Sequence, residues 1–291
     1  MAISKQLRED MVHGSWIRKM FEEGLRLKAI HGADNVFDFT LGNPYVDPPP
    51  EFFAALQEVV REEAHGIHAY MQNSGFPEVR ARVAADLSAE LGVPFTASRV
   101  VMTVGAAGAL NVLLKSLMDP GDEVVVIAPF FPEYAFYIRN HGGVPVVSRA
   151  DASFLPDLAD LDRCIGPRTR AVILNSPCNP SGRLVTAEVL QGLGDLLRRK
   201  SQDSGRKIVL LSDEPYRRLL FDGLAYPSPF RFYEQTLMVT SHSKDLSLAG
   251  ERIGYLAIGP ECEGADEIFA GATFCNRTLG YVNAQIGRAH V

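Results

Sequence analysis

Cysteine is scarce in this chain of 291 residues, and its four copies (Cys164, Cys178, Cys262, Cys275) form no CxxC pair. So wide a scatter argues against a disulfide framework and a zinc site, and fits reduced thiols of a cytoplasmic protein. Positive charge is not in excess: 29 lysines and arginines against 35 acidic residues leave a formal net charge of -6. That balance argues against a general binder of nucleic acid or of anionic membranes. No apolar run is long enough to span a bilayer, and the start, MAISKQLRED, lacks the apolar core of a signal peptide. Internal repeats and low-complexity linkers are missing too. What remains is 46% hydrophobic and 22% charged, enough for a sizeable core in one large α/β domain or two smaller ones.

Residues 1–30 have a helical pattern of mixed charge, followed by a proline-rich turn at Asp47-Pro48-Pro49-Pro50. Apolar residues recurring every three or four positions predict helices over about 51–64 and 76–91. Short apolar runs then alternate with helical stretches: VVMTVG (100–105), EVVVIAP (123–129), RAVILNSP (170–177), KIVLLSD (207–213), LMVTSHS (237–243) and RIGYLAIG (252–259). Helices are expected over 106–118, after the second run and over about 186–200. The runs show no polar alternation, so both sheet faces should be covered by helices, which predicts a mostly parallel, doubly wound α/β layer.

In such a layer ligands gather beyond the carboxyl ends of the strands. There the sequence places Gly105-Ala106-Ala107-Gly108, Pro129-Phe130-Phe131, the stretch from Asn175 to Gly182, Ser212-Asp213-Glu214-Pro215-Tyr216, and Ser241 to Lys244. Arg252 follows Lys244 by eight residues. A lysine just past a buried strand needs a partner, or a task that uses a lowered basicity. Of Asp213 and Glu214, adjacent on a strand, only one should face a ligand on a given side.

These residues resemble the class I/II aminotransferases, pyridoxal 5'-phosphate (PLP) enzymes of fold type I. The resemblance rests on LGNP (41–44), Tyr70 with Gly75, GAAGAL (105–110), PFFPEY (129–134), NSPCNPSG (175–182), SDEPY (212–216) and SHSKDLSLAGERIGY (241–255), in the family's order across roughly residues 35 to 285. It implies a PLP-binding large domain over 46–285, preceded at 1–45 by an N-terminal arm and part of a small domain. It also implies transfer of an amino group from an α-amino acid to a 2-oxo acid by a ping-pong cycle. Lys244 would form the aldimine and shuttle the proton at the substrate's α-carbon. Asp213 would keep the pyridine nitrogen protonated. Tyr216 and Asn179 would hydrogen-bond the cofactor's phenolic oxygen, though Asn179 in NPSG reads by itself as a turn residue.

Phe131 would stack on the ring, with Phe130 as a neighbour that could be core instead. Ala106 and Ala107 offer main-chain N–H groups to the phosphate, where many family members carry a hydroxyl. Ser241 and Arg252 supply a hydroxyl and a charged fork. Tyr70 matches the tyrosine that reaches the neighbouring subunit's phosphate, which implies a homodimer; alone it reads equally as a packed aromatic. Gly42 would let backbone approach the substrate carboxylate, and Asn179 would touch substrate as well; a plain turn is the simpler reading of Gly42 alone. A PLP-dependent carbon–sulfur lyase or decarboxylase, or a non-catalytic PLP-binding regulator, would use the same residues. Residues 1–40 contain nothing like the basic DNA-binding domain that such regulators carry.

Family members run on for about another hundred residues, the size of a second domain, with an arginine that clamps the substrate carboxylate. This chain ends in Ile286-Gly287-Arg288-Ala289-His290-Val291. IGRAHV is what the codons ATC-GGA-AGA-GCA-CAC-GTC encode, a string that resembles a sequencing-adapter read. Residues 286–291 are therefore expected to be a non-native tail, with the C-terminal small domain largely missing and transamination by the chain as it stands weak or absent.

Overall fold

Valine, isoleucine and leucine dominate seven short segments, and side chains of that shape favour a pleated sheet buried on both faces. The computed structural model describes residues 2–39, 42–61 and 69–282, in two units, residues 1–45 and 46–291. In the first unit, α1 (Lys5–His31) starts at Ser4, whose hydroxyl accepts the Leu7 N–H at 3.1 Å. Lys28 and Asp38 pair at 2.7 Å.

The second unit runs through α2 (Pro50–Arg61), α3 (Pro77–Leu91), β1 (Val100–Thr103), α4 (Gly105–Leu117), β2 (Glu123–Ala128) and α5 (Glu133–Asn140). There follow β3 (Val144–Arg149), α6 (Leu158–Cys164), β4 (Thr169–Asn175), α7 (Ala187–Ser204), β5 (Val209–Asp213), β6 (Thr236–Ser241), β7 (Gly254–Ile258) and α8 (Ala265–Thr278). The strands form one sheet in the order β1-β7-β6-β5-β4-β2-β3. From β3 through β6 all pairings are parallel, whereas β7 is antiparallel to both β6 and β1.

Alternation along each strand builds two cores. Val124, Val126, Ile173, Leu211, Val239 and Leu256 face α4, α5 and α8. Val125, Val172, Leu174 and Leu210 face α6 and α7. On that second face, beyond β5, Met238, Tyr255 and Ala257 pack instead on α3. The mostly parallel, helix-covered layer expected from the sequence is the one found.

β3 lies outside the six expected runs. VPVVSR is an edge strand with only Ser148 fully buried, so it lacks a core strand's continuous apolar character, and Pro145 is tolerated there. The helix expected over 51–64 is seen as α2 to Arg61, and residues 62–68 lie outside the described residues. So do residues 283–291, which include the proposed tail.

Candidate active site

The strand ends form one rim. Asn175 pairs with Asp213 across β4 and β5, Asp213 with Val239 of β6, and Ser241 with Gly254 of β7. Gly254 in turn pairs with Thr103, the last residue of β1. Because β7 runs backwards, its first residues reach the rim where the other strands end. That reversal is why Arg252 returns to the rim that Lys244 has just left.

Asp213 is buried at 6% exposure. Its Oδ2 accepts the Tyr134 hydroxyl, while its Oδ1 is buried with no hydrogen-bond partner. Burial pushes its carboxyl up to about 6, against the pull of the Tyr134 hydroxyl. Asn175 Nδ2 donates to the Asp213 carbonyl at 2.8 Å and its Oδ1 accepts the Asn179 N–H at 2.6 Å, so one amide links two strand ends and the following turn. Glu214 takes the opposite face. Its Oε1 accepts the Ser212 hydroxyl at 2.6 Å, and burial pushes it up to about 7.

Tyr216 is half-buried; burial and then the adjacent Asp213 raise its phenol, and the Asn179 side chain opposes them by hydrogen-bonding to it. The two flank a cleft of about 980 Å³ lined also by Cys178, Arg183 and Phe221. Lys244 stands in the loop after β6, half-buried, and burial lowers its amine below the ordinary range. Ser241, at 4% exposure, donates its hydroxyl to Ser243 at 3.0 Å.

The start of α4 is built for a close approach. Gly105 has a φ of +75°, in the left-handed region, and a Cβ there would stand 3.2 Å from Arg252 Nη2. Ala106 and Ala107 fill the first turn, and no side chain caps it. Arg252 is left-handed too, with a φ of 56°, and its Nη1 donates to the Ala249 carbonyl at 3.1 Å. Phe131 meets Tyr134 edge-on with centroids 5.6 Å apart, and Phe130 stacks on the same ring at 6.4 Å. Tyr70 is fully exposed. Gly42 belongs to the first unit.

Two tyrosines at the rim carried no expectation. Tyr134 is the partner of Asp213, and Tyr137, one turn on, is pushed up to about 12 by burial, then by Glu133 and Asp213, with Arg252 opposing. The signal lay in PFFPEYAFY, whose aromatics at helical spacing read as core.

The residues present fit PLP. Asp213 Oδ1 is a buried acceptor without a donor, and a protonated pyridine nitrogen is a donor of the right charge. The uncapped turn of α4, with Ser241 and Arg252 beside it, has the donor chemistry a phosphate needs.

A mostly parallel sheet with this rim belongs to a known class. The family model for aminotransferase class I and II matches residues 34–282, and the chain belongs to that family. The aspartate/prephenate aminotransferase of Thermus thermophilus is 36% identical over 225 residues, 76% of this chain and 56% of that protein. An aspartate aminotransferase of Geobacillus stearothermophilus is 31% identical, over 82% of this chain and 60% of its own. The crystal structure of an amino transferase from Eubacterium rectale superposes with a TM-score of 0.93 at 37% identity, covering 99% of this chain and 73% of that one. The chain therefore spans a little over half the length of the curated relatives that it matches. No helix among the described residues is long and apolar enough to cross a membrane.

Proposed function

We propose that this chain is the cofactor-binding part of a PLP-dependent aminotransferase that moves an amino group from an α-amino acid to a 2-oxo acid by a ping-pong cycle. The observation that carries this reading is a buried acid, Asp213, with an unpartnered oxygen, on the rim of strand ends that also bears Arg252 and the half-buried Lys244. When bound, the cofactor supplies an electron sink for the electrons left at the substrate's α-carbon.

The chain's own residues do the rest. Lys244 holds the cofactor, and its amine takes a proton from the substrate's α-carbon and returns one. Asp213 keeps a proton on the ring nitrogen, and Tyr134 fixes that carboxylate's orientation. Asn179 and Tyr216 donate to the ring's phenolic oxygen, and Phe131 covers the ring. The N–H groups of Ala106 and Ala107, Ser241 and Arg252 bind the phosphate. A homodimer belongs to the same reading, with the exposed Tyr70 reaching the neighbouring site and Gly42 meeting the substrate carboxylate. Relatives named for aspartate make it the first amino donor to screen.

The test is to add PLP to the 291-residue chain, follow the absorption band of the bound cofactor, and fix it with borohydride. Wild type should carry the label on the peptide containing Lys244, and Lys244→Ala should show neither band nor label. An equal band and label in Lys244→Ala would overturn the assignment.

A further inference from the structure

We propose that Asp245, anchored through Arg218 to Glu90, is a positioning residue that sets the direction of the Lys244 amine. This rests on the reading of Lys244 as the cofactor-holding lysine.

The anchor runs across the molecule. Glu90 lies one residue before the end of α3, and Arg218 lies in the turn after β5. Arg218 Nη2 and Nε donate to Glu90 Oε2 at 2.8 and 3.2 Å, and its Nη1 donates to Asp245 Oδ2 at 3.1 Å. The same carboxylate oxygen lies 3.4 Å from His242 Nδ1. Arg217, with 4% of its side chain exposed, donates to Glu90 Oε1 at 3.0 Å and to the Tyr255 hydroxyl of β7 at 3.1 Å. Charges from α3, the β5 turn and the lysine loop thus meet around the partly exposed guanidinium of Arg218, beside the buried Arg217.

The loop needs such an anchor. It is closed at its ends by the Leu248 N–H on the His242 carbonyl and the His242 N–H on the Ile253 carbonyl, both at 3.0 Å. Between those ends Ser247 sits in the left-handed region with a φ of 59°, unfavourable for a residue with a Cβ. A lysine reaches its target through four rotatable bonds, so the position of its Cα decides where the amine can go. Holding the very next side chain fixes that Cα.

The anchor also settles the charge. A bare carboxylate beside Lys244 would favour the ammonium form, which cannot attack an aldehyde. Burial would raise Asp245, but His242, Arg218 and Arg217 together hold it low; Arg218 and His242 engage its Oδ2, and its Oδ1 is buried without a hydrogen-bond partner. Glu90 is held down at about 2 by the same two arginines against its own burial, so the pairing persists at neutral pH.

The readout is the rate of capture at residue 244. The amine displaces the aldehyde oxygen of PLP as water, and hydride from borohydride plus a proton reduce the resulting carbon–nitrogen double bond. The 291-residue chain is compared with Asp245→Ala, Arg218→Met and Arg218→Lys, each checked for folding by circular dichroism. Affinity for pyridoxine 5'-phosphate, which has no aldehyde to capture, is measured alongside. Asp245→Ala and Arg218→Met should slow capture roughly tenfold while analogue affinity stays within about twofold, and Arg218→Lys should recover most of the rate.

Capture at the wild-type rate in folded Asp245→Ala or Arg218→Met would overturn the proposal. So would a parallel loss of capture and analogue affinity, which marks a structural role. Should Asp245→Ala not fold, Arg218→Met decides, because its side chain is 38% exposed and tolerates replacement. Failure of wild type to label Lys244 would overturn both this proposal and the reading beneath it, and is distinguishable because it precedes any variant.

Discussion

At the residue scale the site is held together by an acid kept where acids do not prefer to be. Asp213 has an ordinary value of 3.8 and is raised to about 6 in the folded chain. Between those values the folded chain binds more protons than the unfolded one, so stability falls as pH rises through that window. Above it the buried charge costs the cofactor-free chain about 1–3 kcal/mol. Asp213→Asn should therefore melt higher than wild type at pH 8, by roughly 2–8 °C for a chain of this size, with about half of the gap closed at pH 5. Thermal unfolding of the two proteins at both pH values checks this, and a variant that melts lower at pH 8 would contradict it. Asp213, Lys244 and Arg252 were legible in the sequence because charged residues at the ends of apolar strands require an explanation. Tyr134 was not, since an aromatic in an amphipathic helix looks like core. The Arg218–Glu90 contact was not either, because it joins residues 128 apart that each look like ordinary surface charges.

Elements explain how those residues meet. The six apolar runs from 100 to 259 were legible as strands because burial on both faces writes a continuous apolar signature. Direction was not: RIGYLAIG reads alike whichever way it runs, yet only an antiparallel β7 carries Arg252 to the rim. The hinge of that arrangement is Gly254, wedged between neighbours on both sides. A Cβ there would lie 2.4 Å from the Thr240 carbonyl oxygen and 2.7 Å from the Gly105 carbonyl carbon, both backbone. Neither neighbour can rotate away as a side chain would. Gly254→Ala should cost roughly 1–3 kcal/mol and loosen the contact between β7 and the start of α4. Gly250→Ala, with nothing within 4 Å of its Cβ, should change stability by no more than about 0.5 kcal/mol. Urea unfolding of the pair tests the contrast, and equal midpoints would show that the rim yields at Gly254.

On the scale of the second unit, the late helix α8 closes back on early segments, which periodicity cannot reveal. Asn276, fully buried, donates its amide to the Asn73 carbonyl at 2.7 Å and the Met102 carbonyl at 3.1 Å. These contacts span 203 and 174 residues, so they join the C-terminal end of α8 to β1 and to the segment that carries Tyr70. Arg80 holds that segment from the other side, through the Gly75 carbonyl and Gln72. Asn276→Leu keeps the branched shape but is bulkier and leaves the Asn73 and Met102 carbonyls without this donor, at a cost of about 1–3 kcal/mol. Because α8 also packs on α4 over the sheet, that loss should lower one cooperative unfolding transition rather than detach the helix alone. Circular dichroism, which reports the helices, and tyrosine fluorescence should give the same lowered midpoint in urea. An early step seen by circular dichroism alone would mean that α8 unfolds on its own and that the sheet, with its rim, stands without it.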